Sequence, residues 1–597
     1  METLEALTPE LFAEKSVEVL EALSKEVNLV KIPLISNWEN FNQLRDMQLV
    51  RFRGLVQNML DPEIYLESYQ TKSDTDTLTM RKGKFRDNLK LEANEEVLFD
   101  SAENVHAERR PIFMVSIPGL NDWAVDIEKE QFIADSMDVE MNNLPSNGLK
   151  RPLDESQANE NAGDQMETDS DNVQSKKLNR SASESEPKTS TNSNLSREYL
   201  LNSPIVDRPS NAIIAKFYDD TAKVSLNDAL DVVGFVSLDA NLCGSNRQLD
   251  EFENFDEICA MNPPPSLIPR LHVISYRALA HINPLLHDNR HNGDVLNDQT
   301  KLDCFRDIRT ALTQCLFGDE IAADYLFCHL ISTVYVRADE TLGQFSLNIT
   351  NFPSEKLTGY TKQLYDVIES ILPASHYFPI TIDNLNSTDF IPTKDYETGK
   401  LNSGLLQLAP HTHLVLDETQ LEPGKLEAHG IEGVMYISNL IRKQQLNVNF
   451  KFYTIDYNAN IPVLIFSEGK SMFPSNCHIP LKVDTDTISV INETFVALKQ
   501  FLKPKLNVIR RFLTEMRLQD FDMGPESVKM IQDDFIEMRR SSNASADDLH
   551  MMLTLSRMLG IIQGKTTLET QTWNQAKMIE NERRKRIDML PKAKTST

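Results

Sequence analysis

The chain has 597 residues, enough for about four domains at ~150 residues each. Because 40% of the residues are hydrophobic and 25% are charged, it can bury several hydrophobic cores. Its 61 basic and 89 acidic residues give a net charge of -28. That balance argues against nucleic-acid binding by the chain as a whole, because such binding needs Lys and Arg to neutralise phosphates, and it suits basic protein partners. Its six cysteines include no CxxC pair, which argues against a zinc ribbon and a disulfide framework.

The first residues, METLEALTPELFAEKS, are typical of an amphipathic acidic helix. They lack the basic start and apolar centre of a signal peptide, and the chain has no run of about 18 apolar residues that would span a membrane. We therefore expect an intracellular protein without a membrane anchor. The stretch QLVRFRGLVQNMLDPEIYLESYQ predicts paired strands around a bend at Asp61-Pro62. Residues 1–132 are predicted to form an N-terminal mixed α/β module.

The next segment, residues 133–205, is predicted to be an acidic disordered linker. From Ile133 to Glu198 it contains no Phe, Tyr or Trp, so it cannot bury enough apolar surface to offset its ordering entropy. Basic islets at 150–151 and 176–180 fit either a bipartite nuclear-localisation signal or solvated charge. A further basic cluster at 583–586 favours a nuclear protein.

Residues 206–300 are predicted to be a β-rich segment. Its stretch AIIAKFYDDTAKVSLNDALDVVGFVSLD has β-branched runs, and Gly234 lies inside one of them, where a barrel would curl. Both this segment and the N-terminal strands are typical of small barrels of the OB kind, which often bind single strands through aromatic side chains over a basic groove. Because basic residues are sparse here, a structural barrel is favoured over a nucleic-acid-binding one.

The pattern changes near Leu302. Helical apolar spacing is followed by alternating strand and helix patterns, FSLNIT, YTKQLYDVIESIL, HLVLDE and IPVLIF. This alternation predicts an α/β core with a parallel sheet over residues 301–500. Residues 501–597 are predicted to form a helical, lid-like C-terminal region.

The strand HTHLVLDET raises a specific hypothesis, because its apolar run ends in Asp417 and Glu418. P-loop ATPases place their Mg²⁺-binding acid and its neighbour in this way. The alternative, which we favour, is a strand-end pair that caps or is solvated. The preceding pair, His411 and His413, is expected to be incidental and not a zinc site.

A working ATPase also needs a glycine-rich phosphate loop with a Lys-Ser/Thr pair upstream of the acids. The corresponding stretch is NFPSEKLTGYTKQL. Lys356 and Thr358 are separated by a leucine, and Gly359 follows them instead of preceding them. A proline removes one amide, and a glutamate would repel phosphate. We therefore interpret Asp417 and Glu418 as a remnant without catalytic function, and we expect no bound cofactor or metal.

Three blocks in chain order resemble the MCM helicase subunits. LTQCLFGDEIAADYLFCHLI resembles the helix before the nucleotide site, DYETGKLNSGLLQLAPHTHLVLDET resembles a β-hairpin insert leading into the acidic strand, and DDFIEMRRSSNASADDLHMMLTLSRML resembles the lid. The departures are equally informative. Glu468 stands where the family has an asparagine sensor, and Asp547 lies near the position of the lid arginine. The segment SNCHIPLK lacks the arginine that would reach a neighbouring subunit's nucleotide.

The whole chain, from FRGLVQNMLDPEIYL through PPPSLIPRLHVISYRALAHINPLL and LISTVYVR to the lid, resembles the family of minichromosome maintenance complex-binding proteins. The resemblance implies OB-like β segments, a degenerate MCM/AAA+-like α/β body and a helical lid. It also implies a nuclear, non-enzymatic protein that binds MCM subunits and takes the place of one of them. Roles in MCM assembly, stability and chromatin unloading, in replication and in sister-chromatid cohesion follow from the same resemblance.

Chromatin association is expected to be indirect, and neither a membrane nor a small-molecule substrate is expected among the partners. Two alternatives stay open from the residues. The first is a weak AAA+ ATPase that uses Asp417 and Glu418, and the second is an OB-type nucleic-acid-binding replication factor.

Overall fold

The structure is a computed structural model, and the residues that it describes fall into ranges separated by short gaps and one long one. The described residues are 4, 7–38, 41–73, 76–92, 94–130, 195–219, 221–244, 255–286, 296–338, 341–353, 357–542 and 545–589. Most of the predicted linker, residues 133–194, lies outside them. Its last part is described and includes the helix Arg197–Leu201.

The described residues form strands and helices in both halves of the chain. The strands are β1 Leu49–Met59, β2 Glu63–Ser73, β3 Leu78–Lys82, β4 Glu95–Val97, β5 Val105–Ser116, β6 Ala212–Phe217, β7 Ala229–Ser237, β8 Arg270–Ala278, β9 Val336–Arg337, β10 Thr341–Leu342, β11 Leu347–Thr350, β12 Ser375–Pro379, β13 Thr393–Lys394, β14 Leu401–Asn402, β15 His413–Asp417, β16 Gln445–Asn449, β17 Thr454–Asn458, β18 Val463–Phe466 and β19 Cys477–Pro480. The helices are α1 Pro9–Leu23, α2 Glu26–Leu29, α3 Arg197–Leu201, α4 Phe255–Met261, α5 Asp298–Cys315, α6 Glu320–Ile331, α7 Tyr360–Ile371, α8 Ile382–Ser387, α9 Ala428–Lys443, α10 Thr485–Ile488, α11 Ile491–Leu502, α12 Leu506–Leu518, α13 Pro525–Ser542, α14 Ala546–Ile562 and α15 Thr570–Met589.

Five strands close into one barrel in the order β1-β7-β8-β6-β5, with β1 paired to both β7 and β5. Two of these strands precede the predicted linker and three follow it. The two β-rich stretches of the sequence are therefore parts of a single barrel. Gly234 lies at a register shift between β7 and β8, and a Cβ there would come within 2.2 Å of the His272 carbonyl oxygen, so only glycine allows this close approach.

The N-terminal helix α1 packs its apolar face against this barrel. Thr8 caps the helix by accepting a hydrogen bond from the Leu11 amide. Phe12 is buried and lies edge-on to Phe85, with 5.3 Å between the ring centroids. The apolar face that the sequence predicted is thus covered within the chain.

The second half of the chain contains a five-stranded parallel sheet in the order β12-β15-β18-β11-β19. Its three inner strands, β15, β18 and β11, are short and buried on both faces, as expected for a parallel sheet covered by helices. The predicted mixed α/β organisation, with β segments before an α/β core, is confirmed. The helices after residue 500 join the same hydrophobic core, in which Trp573 is fully buried.

Two β-hairpins project from the α/β core and form a second sheet. One consists of β13 and β14, the other of β16 and β17, and a parallel pairing of Thr393 with Asn449 joins them. The barrel is attached to the core by buried hydrogen bonds. The Asn121 side-chain amide donates to the Leu372 carbonyl at 2.8 Å, and that of Gln57 donates to the Leu401 carbonyl at 2.9 Å. None of the helices in the described ranges combines the length and apolar character needed to cross a membrane.

Candidate functional site

The acidic strand end lies at the carboxyl edge of the parallel sheet, where α/β proteins place their ligand sites. Asp417 is the last residue of β15, and Glu418 follows it. Helix α7 begins beside them. Gly359 caps that helix with φ of 76°, a left-handed backbone conformation that glycine adopts without steric cost.

Asp417 is fully buried, and hydrogen-bond donors of the chain occupy both of its carboxylate oxygens. The Thr361 hydroxyl donates to Oδ2 at 2.7 Å, and the Tyr377 hydroxyl donates to the same oxygen. Oδ1 accepts from the Thr419 hydroxyl at 2.6 Å and from the Thr419 amide at 3.0 Å. Every one of these donors is uncharged. The carboxylate is therefore bound by neutral groups of its own fold.

Glu418 points away from Asp417 toward the loop after β18. Its Oε1 accepts from the Ser471 hydroxyl at 2.7 Å and from the Met472 amide at 3.2 Å. Burial raises the pKa of Glu418, and these two hydrogen bonds oppose the rise. Within the described ranges, no lysine or arginine forms an ion pair with either Asp417 or Glu418.

The threonine that lies beside the acids is Thr361 and not Thr358, which was the residue expected from the sequence. Counting from Gly359 as the second glycine of a phosphate loop, Tyr360 takes the lysine position and Thr361 the Ser/Thr position. Thr361 contacts Asp417, whereas Thr358 is exposed in the turn and Lys356 lies outside the described residues. Thr361 was not among the residues expected from the sequence, and the Gly-Tyr-Thr spacing is the signal that would have identified it.

Tyr360 is directed into the hydrophobic core. Its ring stacks on Phe317 with 4.9 Å between centroids, and its hydroxyl donates to the Cys315 carbonyl. Burial raises the pKa of Tyr360 well above its ordinary value. A lysine at this position would extend a positive charge toward phosphate, but the tyrosine contributes packing instead.

His413 is fully buried, and its ring lies edge-on to His329 with 5.3 Å between centroids. Burial lowers the pKa of His413 well below its ordinary value, and the nearby Arg517 lowers it further. Both histidines are thus neutral in the folded chain. Among the described residues, no group of three or more His, Cys, Asp or Glu side chains is arranged to hold a metal ion.

Most of the basic residues of the barrel strands form buried ion pairs. Arg51 donates twice to Asp231, with both distances 2.6 Å. Lys216 and Arg109 both contact Asp87, at 2.6 and 2.7 Å. Charges that are buried and paired in this way cannot neutralise the phosphates of a nucleic acid.

The C-terminal basic cluster is also paired within the chain. Arg583 binds Glu580 through two hydrogen bonds, Arg584 contacts the same carboxylate at 2.7 Å, and Arg586 binds Asp319 at 2.7 Å. Of the four residues 583–586, Lys585 alone keeps a mostly exposed side chain, at 67%. The three arginines of the cluster that favoured a nuclear protein are therefore paired with acids of the same fold.

These features define a class of protein: a closed barrel joined to an α/β core whose strand-end acids are held by neutral side chains. The chain belongs to the family described as mini-chromosome maintenance replisome factor, whose model matches residues 19–587. It is similar to the mini-chromosome maintenance complex-binding protein of Drosophila melanogaster, with 43% identity over 94% of this chain and 93% of the relative. The proteins of the same name from Gallus gallus (34% identity; 91% of this chain, 89% of the relative) and Homo sapiens (33%; 96% and 94%) are also similar.

Proposed function

We propose that this chain is a non-enzymatic protein that binds MCM helicase subunits and takes the place of one of them in the complex. The observation that carries the proposal is the family match over residues 19–587, together with relatives named for binding the mini-chromosome maintenance complex. Binding to the MCM complex in DNA replication is the part of the proposal that these names support directly.

The topology of the core supports the idea that the chain imitates a subunit. Numbered along the chain, the five parallel strands lie in the order 2-3-4-1-5, so that β18 is inserted between the strand before the degenerate loop and the acidic strand. A parallel sheet of this kind, with a β-hairpin inserted before the acidic strand, agrees with the resemblance to MCM subunits. The closed barrel is of the size and strand number expected of an OB-like domain.

The contacts of Asp417 and Tyr360 support a non-enzymatic role. The carboxylate that would hold Mg²⁺ is bound by Thr361, Tyr377 and Thr419, and a tyrosine occupies the position of the phosphate-binding lysine. A body of this kind can pack beside a subunit but completes no nucleotide site with it. A subcomplex that contains the chain would therefore be stable and inactive as a helicase.

Such an inactive subcomplex is suited to holding newly made MCM subunits and to unloading MCM assemblies from chromatin. Roles in replication and sister-chromatid cohesion would follow from that handling, with indirect chromatin association. We place the protein in the nucleus. The basic islets at 150–151 and 176–180 are the remaining candidates for a nuclear signal, because the arginines at 583–586 are paired in the core.

The test uses the full-length chain, because cutting the chain near residue 132 would remove β1 and β5 from the barrel. The chain is mixed with purified MCM subunits, singly and as subcomplexes, and analysed by size-exclusion chromatography with light scattering. We expect co-elution with at least one subunit and no change on adding Mg²⁺·ATP. Failure to co-elute with any subunit or subcomplex would contradict the proposal.

The ATPase alternative is tested by equilibrium binding of a fluorescent ATP analogue with Mg²⁺. We expect no binding at micromolar concentrations. Micromolar affinity that Thr361→Val or Lys356→Ala abolishes would show that the site still works. Serine at position 361, which keeps the hydroxyl, is the matched control for the valine substitution.

A further inference from the structure

The tips of the two projecting hairpins meet and expose three aromatic side chains beside a fourth that is half-buried. We call this group the hairpin aromatic cluster. Its members are Tyr396 from the β13–β14 hairpin and Phe450, Phe452 and Tyr453 from the β16–β17 hairpin. Phe452 is 85% exposed and Tyr453 is 56% exposed. Large aromatic side chains exposed together at the end of a rigid element are typical of binding surfaces.

The cluster is held in one conformation by its own contacts. The Tyr396 hydroxyl donates to the Phe450 carbonyl at 2.8 Å and so ties one hairpin to the other. Phe450 stacks on Tyr453 with 5.0 Å between centroids, and Tyr396 meets Phe452 edge-on at 5.5 Å. Lys451 has φ of 60°, and its amide is fixed by the Asn449 side chain at 2.8 Å. A surface ordered in advance loses little entropy when a partner binds.

The charges around the cluster favour a protein partner over a nucleic acid. In the two hairpins, 393–402 and 445–458, all of whose residues are described, Lys451 is the only basic residue that is exposed. Asp395 lies near enough that Lys451 helps to lower the pKa of its carboxyl. Glu397 and Asp456 are exposed on the same two hairpins. A single-strand platform needs a positive groove beside its aromatics, and this tip has more acid than base.

We infer that the hairpin aromatic cluster is an anchor that inserts into an apolar pocket, bordered by basic side chains, on an MCM subunit. The inference rests on the proposed function, because it locates the contact that binding to MCM subunits requires. Phe452 is the central residue of the anchor, since its ring is the most exposed of the four. Glu397 and Asp456 are the exposed acids of the two hairpins, and Lys451, whose ammonium lies 5.8 Å from the Tyr396 ring centroid, is their one exposed base.

The experiment compares Phe452→Ala with Phe99→Ala in the full-length chain. Phe99 is 69% exposed and lies in the segment between β4 and β5, so it is a matched control of the same residue type. The dissociation constant is measured by biolayer interferometry on an immobilised MCM subunit or subcomplex to which the wild type binds. We expect Phe452→Ala to weaken binding about 30-fold and Phe99→Ala to change it less than twofold. Thermal unfolding of both variants should match the wild type, because both rings are mostly in solvent.

A second variant tests the two exposed acids. Glu397→Lys with Asp456→Lys should slow association several-fold at low salt, and the difference should shrink as salt is added. Equal affinity of wild type and Phe452→Ala would overturn the anchor while leaving the proposed function intact, whereas a wild type that binds no subunit would contradict the proposed function itself. Binding of a single-stranded oligonucleotide that Phe452→Ala abolishes, with subunit binding unchanged, would identify a nucleic-acid platform and overturn the inference.

Discussion

Asp417→Ala should destabilise the α/β core, because this carboxylate accepts several hydrogen bonds from the fold and is not left free to bind a metal ion. The substitution leaves the buried Thr361 hydroxyl and the Tyr377 hydroxyl without their acceptor. A hydrogen bond to a charged acceptor contributes about 1.5 kcal/mol or more, so the loss of these two amounts to about 3 kcal/mol. The contacts from Thr419 lie nearer the surface, where water replaces the carboxylate.

The assay is thermal and urea unfolding of the full-length variant, followed by near-UV circular dichroism. A loss of about 3 kcal/mol corresponds to a fall in Tm of roughly 6 °C for a unit of this size. Asp417→Asn is the matched control, because it keeps the volume and one acceptor oxygen and should lose about half as much.

The opposite result would refute the reasoning. In a working metal site, an acid kept ready for a cation is a source of local instability, and its removal often stabilises the ligand-free protein. An Asp417→Ala chain as stable as the wild type, or more stable, would therefore mean that the site is arranged for a ligand.

Three further predictions concern the stability of the fold. Burial lowers the pKa of His329 to about 4 from 6.5, so between those pH values the unfolded chain binds more protons. His329 alone should thus contribute about 1.4 kcal/mol per pH unit to the fall in stability as pH drops through this window, and His329→Gln should reduce the slope of a urea-unfolding series by that amount. Glu580→Ala leaves Arg583 buried without its partner and should cost about 3–5 kcal/mol in thermal unfolding, whereas Lys585→Ala should cost almost nothing. Phe12→Ala should cost about 3 kcal/mol and increase hydrogen exchange in α1, and unchanged exchange would contradict the observed packing.

The strand that ends in Asp417 could be predicted from sequence because a buried parallel strand is a short continuous apolar run. The partners of Asp417 could not be predicted in the same way. Tyr377 and Thr361 stand 40 and 56 residues before it in the chain, and no local pattern reports a contact over that distance. Thr361 would have been identified only by aligning the degenerate loop with the phosphate-loop motif at Gly359. Aligning it at Lys356 pointed to Thr358 instead.

The barrel illustrates a second limit of predicting structure from the sequence. Strand patterns were recognised in the sequence at β1, β6 and β7 but not at β5 and β8, and the pairing of β1 with β7 depends on side chains that meet only in the closed barrel. In the same way, the basic cluster at 583–586 favoured a nuclear protein on charge alone. Charge could not show that Glu580 and Asp319 were positioned to pair with the cluster's three arginines.

The barrel contains strands from both sides of the predicted linker, and this has a consequence for how the chain folds during its synthesis. Strand β1 ends at residue 59 and its partner β7 begins at residue 229, about 170 residues later. At about 5–20 residues per second, a ribosome needs roughly 10–30 s to cover that distance. Strand β5 is completed at residue 116, and for the rest of the interval the barrel cannot close around β1 and β5. Their apolar faces and unpaired backbone groups are exposed to other chains for as long as translation lasts, so the speed of the ribosome sets the time during which the nascent protein is most prone to aggregate.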